Sequence, residues 1–141
     1  MTQLIEESTE GLVSDFIHVR NATLDLFRPL RIEDAVMQSD SFDSPANWHI
    51  AHVTWFFHKV LEKHGEKLDD RQEGTNLAYL NSYYQRYGQI LPKSERGKFP
   101  RPTVEQSLKY RSIIDKAVLS FVIVNWRWRE EEDYLMSPAT I

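Results

Sequence analysis

The stretch SPANWHIAHVTWFFH, residues 44–58, decides the fold of this 141-residue chain. Ser44 can accept a hydrogen bond from the first free amides of a helix, and Pro45 suits the first helical turn. A helix is therefore predicted from about residue 45 to His64, with Gly65 as its stop signal. Its residues are apolar on nearly every side apart from the histidines, and a helix that is apolar all round is buried. The stretch thus belongs to the core of a helical domain.

Two further long helices follow from local patterns. The first is predicted over residues 3–28, because five residues recur on one face at spacings of four, three, four and three: Leu12, Phe16, Val19, Thr23 and Leu26. Between it and the buried helix, the polar and acidic segment 31–43 ends in a predicted loop. The third long helix is predicted to begin at Thr103, because Thr103 and Gln106 fit a capping box.

Three long helices and one short helix, predicted over residues 77–87, indicate an all-α, up-down helical bundle. The bundle domain is predicted to cover residues 1–118 and to be followed by a divergent tail over residues 119–141. Three alternatives are open for this tail: it extends the third helix, it frays, or it lies against a partner chain. The last helix of the bundle is expected to be shortened or missing, and a symmetric homodimer would then cover the exposed core.

The composition excludes several classes of function. The absence of cysteine rules out disulfides, thiolate metal sites and cysteine nucleophiles, and it agrees with the cytoplasmic location that we expect. The net charge is −4 and the basic residues are scattered, which argues against a nucleic-acid partner. No apolar run approaches the length of a membrane span, so no membrane partner is expected.

His52 is the main candidate for metal binding. On a helix it neighbours Trp48, Trp55 and Phe56 at spacings of four, three and four, so it is predicted to point inward among aromatic rings. There it is either a metal ligand at the floor of a cavity or a core histidine bonded to a backbone carbonyl or a buried carboxylate. His49 lies three residues earlier and can join His52 in chelating one ion.

The remaining histidines and one acidic residue have simpler predicted roles. His58 and His64 fall near the exposed end of their helix and are predicted to be surface residues. Asp115 lies on an otherwise apolar side of the third helix. An ion pair with Arg111 or Arg20 is favoured for it over a role as a metal ligand.

Two other groups of residues are candidates for ligand binding. Segment 81–84 contains Asn81, Tyr83 and Tyr84, which either line the mouth of a pocket near Trp48 and Trp55 or pack between helices. A basic loop either holds a carboxylate by paired hydrogen bonds or balances the acidic surface, and its cations are Lys93, Arg96, Lys98 and Arg101.

Several motifs in succession resemble one protein family. They are Pro29-Leu30, Glu33-Asp34, Gln38-Ser39, the stretch of residues 44–57, Leu80-Asn81-Ser82-Tyr83-Tyr84, Arg96-Gly97, Arg101-Pro102-Thr103 and Tyr110-Arg111. In this order and spacing they resemble the N-terminal DinB-like domain of the ergothioneine-biosynthesis sulfoxide synthases and their ovothiol-pathway relatives. The resemblance covers about residues 10–118.

The resemblance implies a DinB-like bundle and a non-haem iron(II) enzyme. Such an enzyme joins a thiol, cysteine or γ-glutamylcysteine, to a histidine-derived imidazole and forms a sulfoxide. His52 matches the iron ligand on the second helix, and Lys93 and Arg96 match positions that hold the carboxylate of the thiol substrate. In the family, an HxxxH motif on a later helix supplies two more iron ligands. A large C-terminal domain resembling formylglycine-generating enzymes completes the active site.

The sequence departs from the family after about Ala117. His64 is the last histidine, so the HxxxH motif is absent, as is the C-terminal domain. We therefore expect a stand-alone or truncated DinB-like domain with an incomplete iron site and no catalytic activity alone. Two alternatives stay open. One is a metal-dependent enzyme whose site is assembled across a dimer from His52 and His49. The other is a helical module that binds a small thiol, a histidine-derived ligand or a partner protein.

Overall fold

A computed structural model describes residues 2–68, 92–98 and 101–135 of the chain. Over these ranges it contains a 3-10 turn at Lys93–Glu95 and four α-helices: α1 (Thr2–Phe27), α2 (Ile32–Val36), α3 (Ala46–Lys63) and α4 (Val104–Leu135). The same ranges contain no strand, so the prediction of an all-α helical bundle is confirmed. No helix among them is long and apolar enough to cross a membrane. The short helix predicted over residues 77–87 lies outside the described residues.

The predicted stop of α3 is confirmed, but its predicted cap is wrong. Pro45 occupies the N-cap position, and no side chain bonds to the first amides of the helix. Ser44, the predicted cap, instead accepts a hydrogen bond from Nη1 of Arg96 at 2.8 Å. The helix ends at Lys63, and Gly65 follows with a φ of 88°. Glycine adopts this left-handed conformation without a steric penalty, which explains why the helix stops here.

The predicted capping box of α4 is confirmed. The amide of Gln106 donates to Oγ1 of Thr103 at 3.1 Å, and the amide of Thr103 donates to Oε1 of Gln106 at 2.9 Å. α4 then continues to Leu135. Of the three alternatives for the residues after 118, extension of the third helix is therefore observed as far as residue 135. The domain boundary at residue 118 stays a prediction.

Helix α2 lies in the segment that the sequence indicated only as polar and acidic. Five residues are too few to show a helical period. Gln38, just after α2, holds the basic loop: its Oε1 accepts from the amide of Gly97 at 2.7 Å, and its Nε2 donates to the carbonyl oxygen of Lys93 at 2.8 Å. A Cβ atom on residue 97 would lie 2.6 Å from Cβ of Gln38. This close approach requires glycine at position 97.

Helices α3 and α4 run parallel to each other. Near the start of α3, Nδ2 of Asn47 donates to the carbonyl oxygen of Pro102, just before α4, at 2.8 Å. Beyond the end of α3, the ring of His64 lies 5.6 Å from the ring of Phe121. The basic loop lies at the N-terminal end of α3, because Arg96 bonds to Ser44 there. The candidate site forms at this end of the two helices.

The apolar core lies between α3 and α4. Its buried members are Trp48, Ala51, Trp55, Leu61, Tyr110, Ile114 and Val118. Four of these seven residues come from α3. The burial that was predicted for the stretch at residues 44–58 is thus confirmed for most of its residues, whereas His49 and Val53 are exposed.

Helix α1 contacts the core through only one edge of the face that its apolar period indicated, the edge that carries Phe16. Phe16 packs against the core and Arg20 is buried. Leu12, Val19 and Leu26, which belong to the predicted face, are 39%, 62% and 81% exposed. The apolar period could not reveal this rotation of the helix, because the most buried of residues 10–27, Arg20, is charged.

A buried ion-pair network fixes this orientation of α1. Nε of Arg20 donates to Oδ1 of Asp115 at 2.8 Å, and its Nη2 donates to Oγ1 of Thr54 at 3.3 Å. Nη2 of Arg111 donates to the carbonyl oxygen of Arg20 at 2.9 Å. Burial, followed by repulsion from Arg20, lowers the pKa of Arg111 to about 10. The ion pair predicted for Asp115 is confirmed.

Candidate functional site

The surroundings of His52 form an aromatic stack. The imidazole of His52 lies parallel to the indole of Trp48, with ring centroids 4.3 Å apart and an interplanar angle of 11°. The ring of Trp55 is 5.9 Å from the imidazole. His52 is half-buried, so it lies among aromatic rings as its spacing predicted.

This arrangement does not fit the iron site that the family implies. In the ranges that the structure describes, no three His, Cys, Asp or Glu residues lie close enough together to hold a metal ion. A catalytic metal centre usually needs three protein ligands. His49 is exposed, and its ring lies edge-on to Trp48 with centroids 5.4 Å apart. The described residues therefore provide no iron centre, and a metal site shared by His52 and His49 across a dimer stays a prediction.

His58 is completely buried, so its predicted place on the surface is wrong. Its Nδ1 lies 2.6 Å from Oη of Tyr110, and its Nε2 lies 3.3 Å from Oε1 of Glu62. The contact with Tyr110 joins α3 to α4. The position could have been found from helical spacing, because His58 follows the buried Trp55 by three residues. His64 is exposed, as predicted.

A small basic cleft lies at the N-terminal end of α3. Its lining residues are Val36, Pro45, Asn47, Trp48, Arg96, Arg101 and Pro102. The space between these side chains has no room for a water molecule as it stands. Two of the seven lining residues are arginines and none is acidic, so the cleft suits an anion.

Arg96 forms a fixed wall of this cleft. Its Cζ atom lies 3.8 Å from the centroid of the Trp48 ring, and its Nη1 donates to Oγ of Ser44. A guanidinium over an indole face gains a cation–π interaction, and the hydrogen bond sets its rotation. The side chain is buried, so its orientation is set before any ligand arrives. The sequence identified Arg96 as one of four cations in the basic loop and did not indicate that its side chain is buried and held by Trp48 and Ser44.

The basic loop creates a positive potential at the first turn of α3. Although His49 is exposed, neighbouring atoms desolvate part of its ring; this desolvation lowers its pKa, as do the charge of Arg96 and then that of Lys93. Nearby positive charges disfavour a protonated imidazole, which accounts for the direction of the last two effects. Lys93 is exposed and Arg96 is buried, so the structure brings both predicted carboxylate ligands to one end of α3 but in different environments.

Two buried polar atoms in the cleft lack a hydrogen-bond partner in the described part of the chain. They are Nε1 of Trp48 and Oδ1 of Asn47. Buried polar atoms without a partner are uncommon and destabilising. If the cleft opened, one N–H donor and one carbonyl acceptor would therefore be available to a ligand. Asn47 was not predicted as a site residue, although a polar residue in the first turn of an apolar helix was a signal for it.

Of the other predicted binding residues, Lys98 does not join this cleft. Lys98 is exposed and pairs with Glu95 at 2.8 Å. Asn81, Tyr83 and Tyr84 lie outside the described residues, so their role in a pocket stays a prediction.

No family model matches the sequence, and no curated protein matches it. The resemblance to DinB-like domains rests on the motifs alone.

We expect His49 to make the chain less stable as the pH falls below about 6.5. Its pKa is lower in the folded chain than the ordinary value of 6.5, so the unfolded chain binds more protons in this range. The stability gained from neutral His49 is present above the unfolded pKa and is lost as the pH falls toward the folded pKa. Urea unfolding of the wild type and His49→Gln at about pH 7.5 and 5.5 measures this effect. Equal losses in the two proteins would contradict it.

Proposed function

We propose that this chain is a DinB-like helical module that binds a small carboxylate-bearing ligand in the basic cleft and does not catalyse oxidation alone. The observation that carries the proposal is the buried guanidinium of Arg96, held on Trp48 and bonded to Ser44 in a cleft without acidic lining. Arg96 also matches the position that holds a substrate carboxylate in the family the sequence resembles. Two independent lines of reasoning thus favour the same residue.

Each part of the cleft has a distinct role in holding a carboxylate. Arg96 and Arg101 supply guanidinium donors, and charge-assisted hydrogen bonds to a carboxylate are about twice as strong as neutral ones. The indole N–H of Trp48 is a further donor. Lys93 is exposed, and its positive charge attracts the carboxylate of the ligand without contacting it. The cleft is too narrow to admit a ligand as it stands, so binding requires side chains at its rim to move.

The lack of a group of three metal-ligating side chains among the described residues supports the second half of the proposal. If the purified chain alone, supplied with iron(II) and oxygen, formed a sulfoxide from a thiol and trimethylhistidine, that half would be wrong. This assay is independent of ligand affinity, so either half of the proposal can fail without the other.

Titration with L-cysteine, γ-glutamylcysteine and histidine, followed by tryptophan fluorescence and calorimetry, tests the binding. We expect saturable binding with Kd between about 10 μM and 1 mM, the range of small polar ligands held by a few hydrogen bonds. Cysteamine, which is cysteine without the carboxylate, is expected not to bind.

Arg101→Ala is expected to weaken binding of the carboxylates about tenfold or more, because a hydrogen bond to a charged group contributes about 1.5–3 kcal/mol. Arg28→Ala is the matched control. It removes the same charge from an exposed position just after α1, where Arg28 pairs with Asp25. Cysteamine binding as tightly as cysteine, or unchanged affinity in Arg101→Ala, would refute a carboxylate site.

A further inference from the structure

The side-chain amide of Gln38 joins three parts of the backbone. Its Oε1 accepts a hydrogen bond from the amide of Gly97 at 2.7 Å, and its Nε2 donates to the carbonyl oxygens of Lys93 at 2.8 Å and Asp43 at 2.9 Å. A primary amide has one oxygen acceptor and two N–H donors, so the oxygen and both N–H groups of Gln38 are in use. Because every partner is a backbone atom, this contact fixes the chain itself and not the conformation of other side chains.

Arg96 lies between two of these attachment points. Gly97 follows it directly in the sequence, and the amide of Arg96 donates to the carbonyl oxygen of Lys93 at 3.3 Å. The third attachment point precedes Ser44, whose Oγ accepts from Nη1 of Arg96 at 2.8 Å. Gln38 therefore holds both the backbone that carries Arg96 and the segment that fixes its guanidinium.

Gln38 and Gly97 are matched in shape. A Cβ atom on residue 97 would lie 2.6 Å from both Cβ and Oε1 of Gln38. The φ angle of Gly97 is not positive, so glycine is needed here for the close approach of Gln38 and not for an unusual backbone conformation. Glutamate at position 38 would keep an acceptor for the amide of residue 97 but would offer no N–H group to the two carbonyl oxygens.

We propose that Gln38 is a positioning residue of the basic cleft: it places the guanidinium of Arg96 on Trp48, where it binds the carboxylate of a ligand. This inference rests on the function proposed above. Gln38 is not among the residues that line the cleft, so its effect on binding passes through Arg96. A loop that is held before the ligand arrives loses less conformational freedom on binding than one that the ligand has to order. Loss of the Gln38 contacts is therefore expected to free Arg96 and to weaken binding.

Gln38→Met tests this role without a ligand. Methionine has a side chain of similar length but no amide, so all three hydrogen bonds are lost. In the wild type, the ring current of Trp48 is expected to shift the δ protons of Arg96 upfield, because Cζ of Arg96 lies 3.8 Å from the ring centroid. We expect this shift, and the nuclear Overhauser contacts between the two side chains, to be lost in Gln38→Met. A folded Gln38→Met chain that keeps both signals would overturn the proposal.

Gly97→Ala tests the same contact from the side of the loop. The new methyl group would lie 2.6 Å from Gln38, so the loop and the amide of Gln38 have to move apart. Gly11→Ala is the matched control, because a Cβ atom on residue 11 would meet no other part of the described chain within 4 Å. We expect the ring-current shift of Arg96 to fall in Gly97→Ala and to stay unchanged in Gly11→Ala. Equal shifts in the two variants would contradict the proposal.

Titrations with cysteine link the positioning to binding. Gln38→Met is expected to bind cysteine about two- to tenfold more weakly than the wild type, because the ligand then has to immobilise the Arg96 side chain. In an Arg96→Ala background, Gln38→Met is expected to cause no further loss, since the effects of residues that act as one unit do not add. Unchanged affinity in Gln38→Met, or the same loss in both backgrounds, would refute the inference. A wild type that binds no cysteine would instead refute the proposed function, and the Arg96 shift would then decide the role of Gln38 by itself.

Discussion

Asp115→Ala is expected to lower the free energy of unfolding by about 3–5 kcal/mol, the cost of removing one partner from a buried ion pair. Asp115 accepts a hydrogen bond from Arg20, and Nε of Arg111 lies 3.8 Å from its second oxygen. Without the carboxylate, two buried guanidinium groups would face each other with no anion between them. Urea denaturation followed by circular dichroism measures the loss.

Asp25→Ala provides the matched control for this prediction. Asp25 also pairs with an arginine, Arg28, at 2.8 Å, but both side chains are exposed. Exposed pairs contribute about 0–1 kcal/mol. A loss below about 1 kcal/mol in Asp115→Ala would show that the network carries no more stability than a surface pair.

Trp48→Ala is expected to cost about 3–5 kcal/mol of stability and to abolish ligand binding in the cleft. The indole is buried between α3 and the basic loop, where it contacts both His52 and Arg96. Its removal leaves a cavity in the core and takes away the ring on which Arg96 lies. The guanidinium then loses its fixed direction. Denaturation and the cysteine titration measure the two effects separately.

Trp48→Phe separates the role of the ring from that of the N–H group. Phenylalanine keeps an aromatic face for Arg96 but lacks Nε1, which has no partner within the described ranges. We expect this variant to remain folded and to bind cysteine about two- to tenfold more weakly, because a single hydrogen bond contributes about 0.5–1.5 kcal/mol. Unchanged affinity would exclude Nε1 from the ligand's contacts.

Features governed by neighbouring residues could be predicted from the sequence. The capping box of Thr103 and Gln106 involves residues three apart, and the stop of α3 depends on the conformational freedom of Gly65. The burial of residues 44–58 followed from their continuous apolar character. The pairing of Asp115 could be predicted as well, since a charged residue on an apolar helix face needs an opposite charge.

Features set by distant partners could not be predicted. The face by which α1 enters the core depends on Arg20, whose partner Asp115 is 95 residues away. No apolar period can identify a buried arginine. The burial of His58 likewise depends on Tyr110, 52 residues away.

The candidate site was predictable only in part for the same reason. Lys93 and Arg96 were identified through a family resemblance, yet their different exposure depends on how the loop is held. The loop is held by Gln38, whose Oε1 accepts a hydrogen bond from the amide of Gly97, 59 residues later in the sequence. Asn47 was overlooked because its role depends on the position of Pro102.

The parallel arrangement of α3 and α4 has a consequence for the electrostatics of the whole bundle. Each helix carries a dipole equivalent to about half a positive charge at its N-terminus. Antiparallel neighbours cancel this effect, whereas α3 and α4 direct their N-termini to the same end, where Pro45 and Pro102 line the cleft. Pro45, the N-cap residue of α3, provides no side-chain hydrogen bond to the first amides of that helix. The partial positive charges of the two N-termini therefore add at this end of the bundle and attract an anion before any arginine contacts it.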